Sequence, residues 1–398
     1  MSGETILEDR GETSFQLEPL FPEEASRHRP FLMELSCELE NRSAVVGAAL
    51  TPALRGPVVQ QLRKTNGYYS NLIEGRELHP EVFERAIQAG QNSQGCSLEL
   101  ESKAHLDVQN WIDGGGLTSP PLSAASLLEI HHRFCDGLPQ DILTQLDHEG
   151  APVPIVPGAF RMGFVKVGDH LAPSPGAISR LLDHLVRMYR MQGRQARLVA
   201  IACLHHRLAW IHPFADMNGR VLRMVTQAML KEHLDHEHLW SLARGLARDG
   251  VSYHARLAAA DTPRTGGADG RGALSEARLA EFAAFFLKRC IEEAKFMDDL
   301  LHPEQLQARV AAWAAVEEGQ GRLLERSDRI LVTLLSEGQI DRRAAATLLD
   351  RGEHYAQAAV ERLLGMDVLT TQGPEAPLTI NLPASLASVW MPGLLPDT

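Results

Sequence analysis

The sequence predicts a mainly α-helical protein with a small β component, divided into domains at residues 1–117, 118–302 and 303–398. Apolar residues recur at helical spacing over most of the chain, as in Leu32, Leu35 and Leu39 or Leu279, Phe282 and Phe286. Strand-like alternation is confined to Phe164–Val167 and to two short runs near the C-terminus, Asp367–Thr371 and Leu378–Asn381. Glycine- and proline-rich breaks, such as Asp113–Gly116 with Thr118–Pro121, separate the helical blocks.

The elements follow in order. Residues 1–30 lack periodicity and read as an extended lead-in. From Pro30 to Trp111, Pro52, Gly56, Pro57, Gly67, Pro80, Gly90 and Gly95 punctuate a series of helices. Ser123 is a natural N-cap for a helix running through Leu127, Ile130 and Phe134. Residues 150–175 read as a loop holding one β-hairpin. Helices follow over 178–192 and 194–211; His212-Pro213 stops the second, because the residue before proline is pushed out of the α region. Asn218-Gly219 marks a turn, a helix covers about 220–232, residues 262–271 form a loop, and 276–301 is a long amphipathic helix. A linker helix leads to helices at 328–335, 342–349 and 354–364 and a hairpin, the order of a winged helix.

With 398 residues, 44% hydrophobic and 23% charged, the chain is ordinary for a folded protein, and whole-chain disorder is excluded. The net charge of −12 argues against nucleic-acid partners, which need a surplus of Lys and Arg. The winged-helix-like segment 327–398 repeats that sign, with five arginines, no lysine and nine acidic residues, so docking or packing is expected of it. No apolar run reaches 18 residues, so no membrane span is expected, and the polar N-terminus is no secretory signal. Cys37, Cys96, Cys135, Cys203 and Cys290 are odd in number and without a C-x-x-C pair. They read as buried free thiols in a reducing compartment, the cytoplasm.

The informative segment is Ile211–Arg223, in which a helix ends, a tight loop carries a histidine and a carboxylate, and a new helix begins. Backbone N–H groups at a helix N-terminus bind anions. Arg220 and Arg223, three apart on that helix, suit a polyphosphate. Asp216 is a hard oxygen ligand fit for Mg²⁺, which travels with nucleotide phosphates. His212 can accept a proton near neutral pH. These parts fit transfer of a nucleotide-derived phosphoryl unit to a hydroxyl.

The segment resembles the Fic signature H-P-F-x-[D/E]-G-N-G-R-x-x-R at His212, Pro213, Phe214, Asp216, Asn218, Gly219, Arg220 and Arg223. The resemblance implies a helical Fic core with a β-hairpin flap and transfer of AMP from ATP to a Ser, Thr or Tyr hydroxyl of a protein target. It implies His212 as base, Asp216 as Mg²⁺ ligand, and Asn218, Gly219, Arg220 and Arg223 around the phosphates, with Phe214 as a core anchor. Arg161 with Phe164, Val165, Lys166 and Val167 looks like the flap that docks the target by strand pairing. Asp249-x-x-x-Tyr253 looks like the segment that contacts adenine. Met217 stands where the family has glycine; a positive φ there would strain a methionine by roughly 1–2 kcal/mol.

Upstream, Ser70-Asn-Leu-Ile-Glu74-Gly75 resembles the inhibitory motif [S/T]-x-x-x-E-[G/N] of relatives with a class II-like arrangement. Ser70 and Glu74 share a helix face, Gly75 is a natural terminator, and Glu74 would pair with Arg223 in place of a γ-phosphate. Self-modification and self-association are further expectations of the family. Two alternatives accompany this reading: an enzyme of the same fold that removes AMP or transfers another phosphate-containing group, and a winged-helix DNA-binding regulator with a nucleotide-sensing core. His131, His132, His205 and His206 read as packing or hydrogen-bonding residues.

Overall fold

Helix Arg197–Ile211 is buried on almost every face; apolar residues dominate it, and His205, His206 and Arg207 are buried with them. Helix Asn218–Leu234 packs on it and is itself nearly fully buried. Helix Ile178–Arg190 lays Leu181, Leu182 and Leu185 against the same axis, and helix Ala124–Cys135 contributes Leu127, Ile130 and Phe134. The computed structural model describes residues 7–77, 79, 97–146, 152–234, 239–373 and 376–396. Pro80, Gly90, Gly95, Cys96 and Pro374 lie outside the described residues.

These helices belong to one compact unit, Met1–Asn41, Asn66–Asp235 and Ser241–Glu292. The other unit is Arg42–Thr65, His236–Trp240 and Glu293–Thr398. The fold is mainly α with small two- and three-stranded sheets.

Local chemistry sets the ends of the elements. Ser123 caps helix Ala124–Cys135 by accepting from the Ser126 amide at 3.1 Å. His212 closes helix Arg197–Ile211 in the left-handed region at φ 49°. The signature helix starts at Asn218, two residues before the sequence places it. The expected hairpin pairs Lys166–Val167 with His170–Leu171. A second hairpin, Thr144–Leu146 with Pro152–Pro154, escaped the sequence reading because prolines bound its second strand and hide the alternation.

The lead-in is not featureless, which corrects the expectation for residues 1–30. A capping box on Thr13 and Gln16 starts the short helix Ser14–Leu17, and Leu17 and Leu20 are fully buried. Among the cysteines, Cys135, Cys203 and Cys290 are buried as expected, whereas Cys37 is exposed on helix Arg29–Ala49.

Within the second unit, helices Ser327–Glu337, Arg342–Leu349 and Glu353–Gly365 fall where the periodicity places them. Strands Leu369–Thr370 and Leu378–Ile380 pair as a hairpin, and Gln339–Ile340 joins the edge of Leu378–Ile380. That third strand is too short to show a period. Trp313 and Trp390 meet edge to face at 5.2 Å and anchor the packing of Pro303–Gly319.

Candidate active site

The loop between the two core helices is held from inside. Asn218 clamps it through both ends of its amide, accepting from the Phe214 amide and donating to the Phe214 carbonyl, each at 2.9 Å. Phe214 is buried and stacks on His131 at 4.1 Å. His131 in turn accepts from the Gly158 amide at 3.0 Å, which ties the loop to the hairpin approach. Asp216 is half-buried, and one of its carboxylate oxygens accepts from the Met217 amide at 2.6 Å. Met217 has φ 65°, so the condition for strain is met. Its side chain is buried, with Sδ 2.6 Å from Arg220 Nη2.

The loop opens on a cavity of about 400 Å³ whose walls include His212, Gly219, Arg223, Tyr253, His206 and Asp261. Burial, with the charges of Arg161 and His170, pulls the His212 pKa down to about 4, against a hydrogen bond to the Ala209 backbone. The imidazole is therefore neutral at pH 7 and able to accept a proton.

Arg223 reaches the cavity but is not free. Its Nε donates to Ser70 Oγ at 2.9 Å, and Nη2 donates to the Ser70 carbonyl at 2.8 Å and to Glu74 Oε1 at 2.6 Å. Helix Pro52–Ile73 ends just before Glu74, and Gly75 takes φ 72° to terminate it, as its residue type predicts. The Glu74 carboxylate lies against the first turn of the signature helix: a Cβ on Gly219 would collide with its Oε1. Burial pushes the Glu74 carboxyl up, but the charge and hydrogen bond of Arg223, with Arg220 behind, outweigh it and the net shift is downward.

Arg220 turns the other way. It does not line the cavity; Nη1 pairs with Glu101, and the guanidinium lies 5.1 Å over the Phe134 ring. Glu101 is 1% exposed, on the inner face of helix Ser97–Asp113. Sequence reasoning missed Glu101. The available signal was a glutamate in register with His105 and Val108, on the buried face of an amphipathic helix.

Arg161 is buried and donates to the carbonyls of His212 at 2.7 Å, Gly163 at 2.9 Å, Pro173 at 2.5 Å and Ile211 at 3.4 Å. It thus clamps the hairpin base to the His212 loop, while Lys166 and Val167 are exposed and Phe164 and Val165 half-exposed. The Arg10 guanidinium covers the Phe164 ring at 4.0 Å. Tyr253 is buried, with its hydroxyl 2.8 Å from His205 Nε2, and His205 Nδ1 meets Thr226 Oγ1 at 2.8 Å. His205 is thereby a hydrogen-bonding core residue.

Residues 121–230, which contain the whole loop and most of the signature helix, match the Fic/DOC family. The chain carries a Fic domain. The Fic domain is similar to the protein adenylyltransferase Fic of Aedes aegypti, 34% identical over 113 residues (27% of this chain, 19% of that protein). It is also similar to that of Drosophila melanogaster, 32% identical over 167 residues (41% of this chain, 31% of that protein). The matched stretches therefore span a third or less of those relatives' length. A Fic family protein from Desulfovibrio desulfuricans shares the fold at TM-score 0.54 and 16% identity, over 91% of this chain and 98% of that one. A Fic domain containing signaling protein from Bacteroides thetaiotaomicron aligns at TM-score 0.50 and 18% identity, over 66% of this chain and 95% of that one.

No group of three or more His, Cys, Asp or Glu side chains able to hold a metal occurs among the described residues. A divalent cation at the Fic loop would have Asp216 as its protein carboxylate and would need oxygens from the substrate. That donor chemistry suits Mg²⁺, which keeps few protein ligands and shares phosphate oxygens. No helix is long and apolar enough to cross a membrane, among the described residues.

Proposed function

We propose that this chain is an autoinhibited protein adenylyltransferase that moves AMP from ATP to a Ser, Thr or Tyr hydroxyl of a protein. One observation carries the reading: the Glu74 carboxylate sits on the first turn of the signature helix, bonded to Arg223 at 2.6 Å and packed against Gly219. An anion at a helix N-terminus beside a buried arginine marks where a phosphate would bind. The glutamate holding that place blocks it.

The chemistry follows from the residues. His212, neutral at pH 7, takes the proton of the target hydroxyl. The hydroxyl oxygen bonds to the α-phosphorus, the bond from that phosphorus to the bridging oxygen breaks, and pyrophosphate leaves. The Asn218 and Gly219 backbone and Arg223 orient the phosphates once Glu74 withdraws. Asp216 would hold Mg²⁺ against the phosphates, supplying charge neutralisation for the leaving pyrophosphate. Arg161 acts as a positioning residue, fixing the His212 carbonyl. The exposed edge at Phe164–Val167 docks the target strand, and Tyr253 walls the nucleoside. The three-domain division, a winged-helix-like C-terminus, self-association and a cytoplasmic setting belong to the same reading.

Arg220 favours the second reading, removal of AMP or transfer of another group. It faces Glu101 and leaves the cavity with Arg223 as its lining arginine. Intact-protein mass spectrometry after incubation with ATP and Mg²⁺ separates the two. Glu74→Gly is expected to gain AMP, wild type to gain little, and Glu74→Gly with His212→Ala none. Nucleotide binding by Glu74→Gly without transfer to itself or to lysate proteins would overturn the transferase and favour the second reading.

A further inference from the structure

The cavity wall carries a carboxylate that the phosphate chemistry does not use. Helix Gly250–Ala259 and the turn after it present His254, Leu257, Ala258 and Asp261 to the cavity, the i, i+3, i+4, i+7 spacing of one face. The first of these lies at the Glu74 end, where His254 contributes to the field on the Glu74 carboxyl. Seven residues further, about 10 Å at 1.5 Å each, lies Asp261.

Asp261 is held by a relay of buried groups. Arg207 is fully buried; its Nε donates to the Pro19 carbonyl at 2.8 Å and its Nη1 to the Ala260 carbonyl at 3.2 Å. The same Nη1 donates to His206 Nδ1 at 2.9 Å. Since Nδ1 accepts, the proton of a neutral His206 is on Nε2, which points at the Leu257 carbonyl at 3.0 Å and at Asp261 Oδ1 at 3.1 Å. Burial keeps that ring neutral by lowering its pKa, although Asp261 opposes the shift. The second oxygen, Oδ2, lies 4.0 Å from His170 Nδ1, beyond hydrogen-bond reach, while His170 Nε2 donates to the Trp210 carbonyl at 2.8 Å. One carboxylate oxygen is thus fixed from behind and the other is left to accept, on a side chain 26% exposed.

We infer that Asp261 is a specificity-determining residue that accepts a hydrogen bond from the exocyclic amino group of an amino-bearing purine, and that Arg207 and His206 position it. The inference rests on the nucleotide reading of the cavity and adds which residue reads the amino group of the base. An ionised carboxylate only accepts, so the group that meets it must donate. A base without an amino group leaves the carboxylate unpaired and partly desolvated.

The test is a binding comparison between ATP and purine riboside triphosphate, which lacks the 6-amino group, in the full-length Glu74→Gly protein. ATP is expected to bind about tenfold tighter or more, the range for a hydrogen bond to a charged group. In Glu74→Gly with Asp261→Ala the two nucleotides are expected to bind alike. Asp261→Asn, which keeps shape and an accepting oxygen without charge, is expected to hold a smaller preference for ATP. A merely structural role would weaken both nucleotides together and leave their ratio unchanged. An unchanged ratio in Asp261→Ala, or equal binding before the substitution, overturns the inference and leaves the nucleotide reading standing. A folded Glu74→Gly protein that binds neither nucleotide overturns the nucleotide reading itself.

Discussion

Arg220 and Arg223 lie one turn apart on the signature helix, each paired with a glutamate from the N-terminal part of the chain, yet the two regions differ in kind. Arg223 is 3% exposed, but its partner Glu74 is 33% exposed and follows the end of a helix at a glycine. Arg220 is 4% exposed against a Glu101 that is 1% exposed and lies within a helix. The first pair can part, because water can take over the carboxylate. The second cannot part without leaving a charge in the interior. The solvation of the acid separates the two contacts, and on the proposed function it is what lets Glu74 withdraw while Glu101 stays.

The largest expected effect breaks the buried pair. Glu101→Ala should lower stability by about 3–5 kcal/mol, read as a drop in the urea midpoint, since it strands Arg220 without its partner. Replacing both with methionine should restore most of that loss; failure to do so would mean that Glu101 has work beyond neutralising Arg220.

Acid sharpens the comparison. His105 is buried within the field of both arginines, and burial, then the charges of Arg223 and Arg220, lower its pKa to about 3 from 6.5. The unfolded chain binds this proton below pH 6.5 and the folded chain does not until about 3, so stability falls as pH drops through that window. The slope is up to about 1.4 kcal/mol per pH unit. Denaturation midpoints across pH 4–7 should fall less steeply in His105→Phe than in wild type.

Met217 tests the loop beside Arg220. Glycine there would relieve roughly 1–2 kcal/mol of left-handed strain. It would also remove a buried side chain worth about 2–5 kcal/mol in a core truncation. Packing wins, so Met217→Gly is expected to destabilise by about 1–2 kcal/mol in thermal unfolding; a gain in stability would show that strain dominates.

The smallest stability effect belongs to Glu74. Glu74→Gly removes a partly exposed acid and leaves Arg223 hydrogen-bonded to Ser70, so its cost is expected to be smaller than that of Glu101→Ala. Its melting temperature should stay close to wild type while nucleotide affinity rises, which calorimetry with ATP would read. A large loss of stability with no gain in affinity would make Glu74 structural, like Glu101.

Much of this was legible in the residues. Loop and helix at 211–223 follow from His-Pro, the Asn-Gly turn and the apolar period, and the Ser70–Glu74 spacing puts both groups on one helix face. Long helices such as Glu276–Leu301 show their period plainly. The Thr144–Leu146 hairpin and the Gln339–Ile340 strand did not, because a strand of two or three residues carries no period to read. The capping box at Thr13 was present in the letters, but the short helix it starts has too few residues for apolar spacing to reveal.

By itself the sequence determined the helical class and the loop that carries His212, whereas the pairing of Arg223 with an upstream glutamate was what the Fic resemblance implied. The first two rest on local spacing along one stretch of chain. Only the tertiary structure decided that Arg220 points at Glu101 rather than the cavity, that Arg161 braces carbonyls instead of facing outward, and that Asp261 stands on the cavity wall. Those outcomes depend on which distant helix supplies the neighbouring charge and how much water remains there, and neither quantity is encoded in the spacing of any one segment.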